Sequence, residues 1–294
     1  MDQAQSLRNI IKAGNQTPRP LARVITVTSG KGGVGKSNTS INLAIQLKKM
    51  GYKVIILDAD FGLANIEIMF GTIPKYNLCD LIYQGKNIKE IITWGPNDVG
   101  FISGGSGITG MANLSREYLT YIIQNLAELD AIADVIIVDT GAGISDAVME
   151  FLVASGEILL VATPEPTSIT DSYSLLKALS KHPRYKMEDT KIKVVANRVE
   201  REEDGAALFQ KLNVVVERYL KLPMTYLGAI PQDAQLSKAV MQQMPVSIAH
   251  PKAKSAIAYE QMAKALTNVE LNQDLKKRGM AGFFSHIITG KKLG

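Results

Sequence analysis

Six near-continuous runs of apolar and β-branched residues punctuate this chain: Arg23–Ser29, Lys53–Ala59, Asp134–Thr140, Glu157–Thr163, Lys193–Val199 and Met224–Pro231. Most are apolar on both faces, the pattern of strands buried in a parallel sheet with helices above and below. Between them, helical patterns occupy Thr39–Lys49, Arg116–Leu129, Ser168–Leu179, Ala206–Leu220 and Ala253–Leu266. Strands and helices in alternation predict an α/β, doubly wound, mostly parallel sheet flanked by helices. Pro18-Arg19-Pro20 sets residues 1–20 apart from a body spanning 21–272, and a tail, 273–294, opens near Lys276-Lys277-Arg278-Gly279.

Composition narrows the function classes. A chain of 294 residues, 46% hydrophobic and 21% charged, suits a globular protein with one large core. The single cysteine, Cys79, excludes an internal disulfide and any multi-cysteine metal or iron–sulfur site within one chain. The start lacks a basic segment followed by an apolar run, and no stretch reaches the roughly 18 apolar residues of a spanning helix, so a cytoplasmic protein is expected. The net charge of +5 is concentrated at the ends: +4 over residues 273–294, +2 over residues 1–20 and −1 over the body between them. A body of that charge makes nucleic acid an improbable partner and directs attention to the tails.

The chemistry begins at Ser29-Gly30-Lys31-Gly32-Gly33-Val34-Gly35-Lys36-Ser37-Asn38. The spacing Gly-x-x-x-x-Gly-Lys-Ser between a strand and a helix is that of a phosphate-binding loop. Glycines let successive N–H groups approach phosphate oxygens, and the helix start adds its positive end. Lys36 is expected to neutralise the β- and γ-phosphates of ATP, with the Ser37 hydroxyl on Mg²⁺. Two further strand ends, LDAD with Asp58 and Asp60 and IIVD with Asp139, are placed to face the same crevice. Asp60 is suited to orienting an attacking water, and Asp58 and Asp139 to the metal side.

This set of motifs resembles the MinD/ParA family of ATPases, whose loop carries an additional lysine at the position of Lys31. The likeness covers roughly residues 22–268 and implies several roles. Lys31 would reach across an ATP-dependent homodimer to the partner's phosphates. Asp60 would position water and Asp139 would lie on the metal side. Asn197 would contact the base, and Pro231 and Asp233 would close over adenine and ribose. Thr140-Gly141, before Ala142-Gly143, departs from many MinD-like chains at the second switch.

The tails add two expectations. On a helix, Met280, Phe283, Phe284, Ile287 and Ile288 share a face about 140° wide, and Lys276, Lys277, Lys291 and Lys292 sit at its ends. That pattern predicts an amphipathic helix for an anionic membrane surface on the inner face of the cell membrane, or for a groove on the body itself, in turn. At the other end, Asp2-Gln3-Ala4-x-x-Leu7-Arg8 resembles the N-terminal motif of the FlhG (YlxH) group of flagellar regulators. That resemblance implies stimulation of an FlhF-like GTPase and recruitment of flagellar switch-ring proteins. A division-site MinD-type ATPase and a DNA-binding partition ATPase are the alternatives. The N-terminal motif separates the flagellar reading from the former, and the charge of the body speaks against the latter.

Overall fold

The computed structural model describes residues 21–60, 65–104, 125–268 and 279–290. The six predicted strands appear as β1 (Arg23–Ser29), β2 (Val54–Ala59), β5 (Val135–Ala142), β6 (Glu157–Ala162), β7 (Lys191–Val199) and β8 (Met224–Pro231). Two short ones, β3 (Thr93–Trp94) and β4 (Gly100–Ile102), join them. The order across the sheet is β3-β4-β2-β5-β1-β6-β7-β8. Every pairing is parallel except β3 with β4. β1 is central, between β5 and β6, so the loop that leaves it opens where the chain winds in both directions, the usual ligand crevice of such sheets.

Helix α1 (Lys36–Lys49) follows β1 directly and buries Ile41, Leu43, Ala44, Ile45 and Leu47, while Lys48 and Lys49 complement the negative end of its dipole. It packs between the sheet and the late helix Lys254–Thr267, whose Tyr259, Met262 and Leu266 are buried in the same core. The helices Pro166–Lys181 and Glu202–Leu220 cover part of the opposite face, with Leu175, Leu179, Leu208 and Leu212 buried.

A buried ion triad ties three strands at the edge remote from the crevice. Glu157 on β6 accepts from Arg23 Nε and Nη2 at 2.7 Å each and from Lys193 Nζ at 2.8 Å. Arg23 also donates to the Leu266 carbonyl, which fastens the end of the late helix. With both cations on one carboxylate, removal of Glu157 would take a shared counter-charge from two strands at once, which couples the triad to sheet integrity.

The C-terminal helix, Gly279–Gly290, lies against the body. Met280 is 0% exposed, Phe283 and Phe284 1% each and Ile287 6%, in a core shared with Leu126, Leu129, Ile136, Phe151 and Ala154. The four residues expected to meet lipid are thus covered by protein in this conformation. The side chain of Ile288, and residues Lys276, Lys277, Asp2, Gln3, Ala4, Leu7 and Arg8, lie outside the described residues. The predicted helix Arg116–Leu129 lies outside them for most of its length.

Candidate functional site

The loop after β1 has the conformation its glycines predict. Gly33 and Gly35 take φ of +74° and +100°. A Cβ on Gly35 would also collide with the Asn197 amide, so this position admits no other residue without rearrangement. Side chains hold three of the loop's carbonyls. Ser29 Oγ donates to the Lys31 carbonyl at 2.7 Å, Arg198 Nη2 to Gly33 at 2.8 Å and Asn197 Nδ2 to Val34 at 2.7 Å. Each N–H lies opposite the carbonyl of the preceding residue in its planar trans peptide. The loop's N–H groups therefore face away from these anchors.

Asn197, expected to contact the base, is buried in this conformation, with its Nδ2 donating to the Val34 carbonyl and its Oδ1 accepting the Arg198 N–H at 2.9 Å. Here it braces the phosphate loop. Pro231 ends β8, and Asp233 caps the helix Ala234–Met241 through the Gln235 N–H at 2.9 Å. Asp233 also accepts from the N–H and hydroxyl of Ser255, at 3.0 and 2.8 Å, which pins the loop carrying it.

The aspartates converge as predicted, because Asp58 on β2 is the register partner of Asp139 on β5. Lys36, at the start of α1, is buried beside them. Burial lowers its pKa, opposed by the attraction of Asp139 and Asp60. Asp139 is fully buried and Ser40 Oγ donates to its Oδ1 at 2.8 Å, a partner that motif spacing did not identify. Burial pushes its carboxyl up to about 6, with the hydroxyls of Ser37 and Ser40 and the Lys36 ammonium pulling back. Asp58 rises further, to about 8, through burial and then the nearby charge of Asp139.

Asp58, expected on the metal side, accepts the N–H groups of Asp60 at 3.1 Å and of Ile66 at 3.4 Å in this conformation. Asp60 is half-buried, with Asn65 Nδ2 donating to its Oδ2 at 3.3 Å. Its other oxygen lies beside Gly141 on the second switch.

The residues fit a Mg²⁺–nucleotide. Helix α1 starts with no side-chain cap and no acidic residue in its first turn, which leaves its positive end to an anion. Asp139 Oδ2 is buried with no hydrogen-bond partner, the state of an acceptor suited to a hydrated cation. Among the described residues no cluster of three or more His, Cys, Asp or Glu forms a metal cage.

Lys31 pairs with the start of the helix that follows β6. Its Nζ lies 2.8 Å from Glu165 Oε2 and 3.0 Å from Thr167 Oγ1, both at the start of the helix Pro166–Lys181. The ammonium holds the Glu165 carboxyl below its ordinary value. Solvent screens an exposed pair of this kind, so little holds Lys31 back from another anion. Glu165 and Arg198 were not picked out by motif. The general rule that residues just past the carboxyl ends of parallel strands line the crevice would have found both.

The elevated carboxyls have a consequence for the chain freed of nucleotide and metal. Folded Asp58 and Asp139 bind protons more tightly than the unfolded chain does. The stability they lend is complete below the ordinary carboxyl pKa and is lost as pH rises through about 6 and about 8. In chelator, the unfolding midpoint is expected to be higher at pH 5 than at pH 8.5, by a few degrees as an order of magnitude. Asp58→Asn should flatten that slope, and an unfolding midpoint that climbs over the same interval would refute the assignment.

The description "CobQ/CobB/MinD/ParA nucleotide binding domain" matches residues 25–246. The chain is 39% identical over 262 residues to the antiactivator FleN of Pseudomonas aeruginosa, covering 89% of this chain and 91% of that one. It is 32% identical to the flagellum site-determining protein YlxH of Helicobacter pylori, covering 98% of both. Among solved structures, the septum site-determining protein MinD from Pyrococcus horikoshii, complexed with Mg-ADP, aligns with a TM-score of 0.66 at 23% identity. That alignment covers 85% of this chain and 98% of the other. Likeness of this extent, on a crevice shaped for Mg²⁺ and nucleotide, makes the chain a member of the CobQ/CobB/MinD/ParA nucleotide-binding family and, within it, a MinD/ParA-type ATPase.

Proposed function

We propose that this ATPase is a switch that regulates the number and placement of flagella, pairing with a second copy when ATP is bound and separating after hydrolysis. In the ATP state the Gly279–Gly290 helix leaves the body for an anionic membrane surface, and residues 1–20 engage an FlhF-like GTPase. Gln3 or Arg8 is the residue presented to it, and flagellar switch-ring proteins are the cargo recruited. The relatives' names, an antiactivator and a flagellum site-determining protein, support the biological setting.

One observation carries the switching: Met280, Phe283, Phe284 and Ile287 form an apolar face that the body itself covers. Burying each is worth roughly 1.5–3 kcal/mol relative to water, and a lipid interface offers a comparable gain. Two competing sinks of similar depth make a helix that a modest change at the nucleotide site can redirect. Among the described residues no helix is long and apolar enough to cross a membrane. Two helices on a dimer would also bind together through effective concentration where one alone is weak.

Within the crevice the chain's own groups divide the work. The loop N–H groups and Lys36 hold the phosphates, Asp60 orients water, and Lys31 exchanges Glu165 for the partner's phosphates. Ser37 and Asp139 would hold Mg²⁺, which would supply neutralisation of the phosphate charge.

Lys31→Ala is expected to leave ADP affinity within about threefold while reducing the ATP-dependent dimer about tenfold or more. Size-exclusion chromatography with light scattering reads this, and undiminished dimers would remove Lys31 from the interface. The membrane step is checked by sedimentation with anionic vesicles in ATP, ADP and no nucleotide. Sedimentation should require ATP and should vanish when residues 275–294 are removed. Equal sedimentation in all three states would break the link between nucleotide and membrane.

A further inference from the structure

The docked C-terminal helix is gripped at both ends by polar groups, and the grip leads back to the second switch. At its start, Asp130 accepts the Met280 N–H through Oδ1 at 2.8 Å and Oδ2 at 3.1 Å. The same carboxylate accepts the Ala22 N–H, at 3.3 Å, where the chain enters β1. Gly279 takes φ of +62°, and a Cβ there would run into Asp130. The docked start is therefore shaped around that carboxylate, and glycine is the residue that permits both the turn and the approach.

Toward the other end, Arg184 Nη1 donates to the His286 carbonyl at 2.7 Å. Its Nη2 donates to both oxygens of Glu150 at 2.5 Å. The ion pair is only about a fifth exposed on either side chain, so solvent screens it weakly. Glu150 belongs to the helix Asp146–Ala154, and so does Phe151, whose ring centroid lies 5.9 Å from that of Phe283 and 6.4 Å from that of Phe284. One turn of one short helix thus supplies both the polar brace and the aromatic seat of the C-terminal helix.

The beginning of that short helix belongs to the nucleotide site. It is capped by Ser145, whose side chain accepts the Val148 N–H, and it follows the second switch after only a few residues. Gly143 N donates to the Ser29 carbonyl at 2.9 Å, at the head of the phosphate loop. Val148 and Asp60 both lie against Gly141. A single nine-residue rod therefore has its head beside Gly141 and Asp60 and its middle turn against Phe283 and Arg184.

We infer that the Asp146–Ala154 helix, braced by the Glu150–Arg184 ion pair, is the link through which the nucleotide site holds or releases the C-terminal helix, with Asp130 and Arg184 as its two latches. This rests on the reading that the helix is released in the ATP state, and it names the residues that set the release. The rod couples the sites as packed matter does: displacing its head displaces Glu150 and Phe151 together, and the Arg184 clasp loosens with them. Asp130 is on a separate helix, Leu129–Ile132, so it holds the start of the docked helix independently of the rod. Weakening Arg184 should therefore mimic ATP, whereas weakening Asp130 should lower retention equally in every nucleotide state.

Hydrogen exchange of the amides of residues 283–290 in the full chain, without lipid, tests the inference directly. In the wild type, protection should hold with ADP or no nucleotide and fall with a non-hydrolysable ATP analogue. Arg184→Ala should exchange about tenfold faster with ADP or no nucleotide and respond little to the analogue, with ADP affinity unchanged. Glu150→Gln should fall between, and it alone decides if Arg184→Ala loses its far-ultraviolet circular dichroism. Wild-type protection in both variants, or wild-type exchange indifferent to nucleotide, would overturn the link.

A parallel sedimentation with phosphatidylcholine vesicles containing about one-third phosphatidylglycerol separates the two readings. Faster exchange in Arg184→Ala without vesicle binding in any state would uphold the latch and reject the membrane. ATP-dependent sedimentation of the wild type, matched by Arg184→Ala in both readouts, would keep the membrane and reject the latch.

Discussion

Lys36→Ala is expected to weaken ATP affinity by about a hundredfold or more, the loss that follows when one partner of a buried charge pairing is truncated. The effect has two sources in the structure. The variant loses the cation that meets the phosphates, and it also removes the charge that lies between Asp139 and Asp60. Asp139, already raised to about 6 with Lys36 present, would rise further, and a protonated carboxyl is a poor partner for Mg²⁺. Titration calorimetry with ATP and with ADP checks this. Affinities within threefold of the wild type for both nucleotides would mean that the loop N–H groups alone bind the phosphates. Lys36→Arg should not rescue, because the longer, planar guanidinium does not fit a space closed by α1 and the aspartates.

Asp60→Ala is expected to reduce turnover by about 10²–10⁴-fold, the usual range for a positioned group that guides proton movement or water. ATP affinity should change little, so the variant should accumulate as an ATP-bound dimer. The grounds are positional: Asp60 is half-buried at the end of β2, tethered by Asn65 and set beside Gly141. Asp58, two residues earlier, is buried and already accepts two backbone N–H groups, so it is not expected to substitute. Single-turnover hydrolysis measured against nucleotide binding separates the two roles. Turnover preserved in Asp60→Ala would shift the water-positioning assignment elsewhere in the second switch.

The long strands and helices were legible because their signal is local. A run such as Val54–Leu57 is apolar at every position and is followed by Asp58 and Asp60, which marks a strand with both faces buried that ends at the crevice. The short edge strands Thr93–Trp94 and Gly100–Ile102 were missed, being too brief for alternation to register. The helix Asp146–Ala154 was missed for another reason. It is buried on nearly every side, so its apolar stripe is blurred, and only the Ser145 cap announces it. That element proved to be the one joining the switch to the C-terminal helix.

By itself the sequence determined the α/β alternation, the phosphate loop with its extra lysine, the aspartates at the strand ends and the amphipathic character of the tail. Each of these is written within a few consecutive residues, where backbone preference and side-chain periodicity act. Only the tertiary structure decided the rest. Asn197 grips the Val34 carbonyl across 163 residues of chain, and Arg184 reaches His286 across 102. Met280 meets Asp130 across 150, and Lys31 rests on Glu165 across 134. No periodicity encodes such pairs, because they arise where strand order and helix packing bring distant segments to hydrogen-bond distance. An amphipathic face states only that it must be covered. Whether body or membrane covers it is a competition between two apolar environments, and in this conformation the groove beside Phe151, with a carboxylate and a guanidinium at its ends, is the one that holds it.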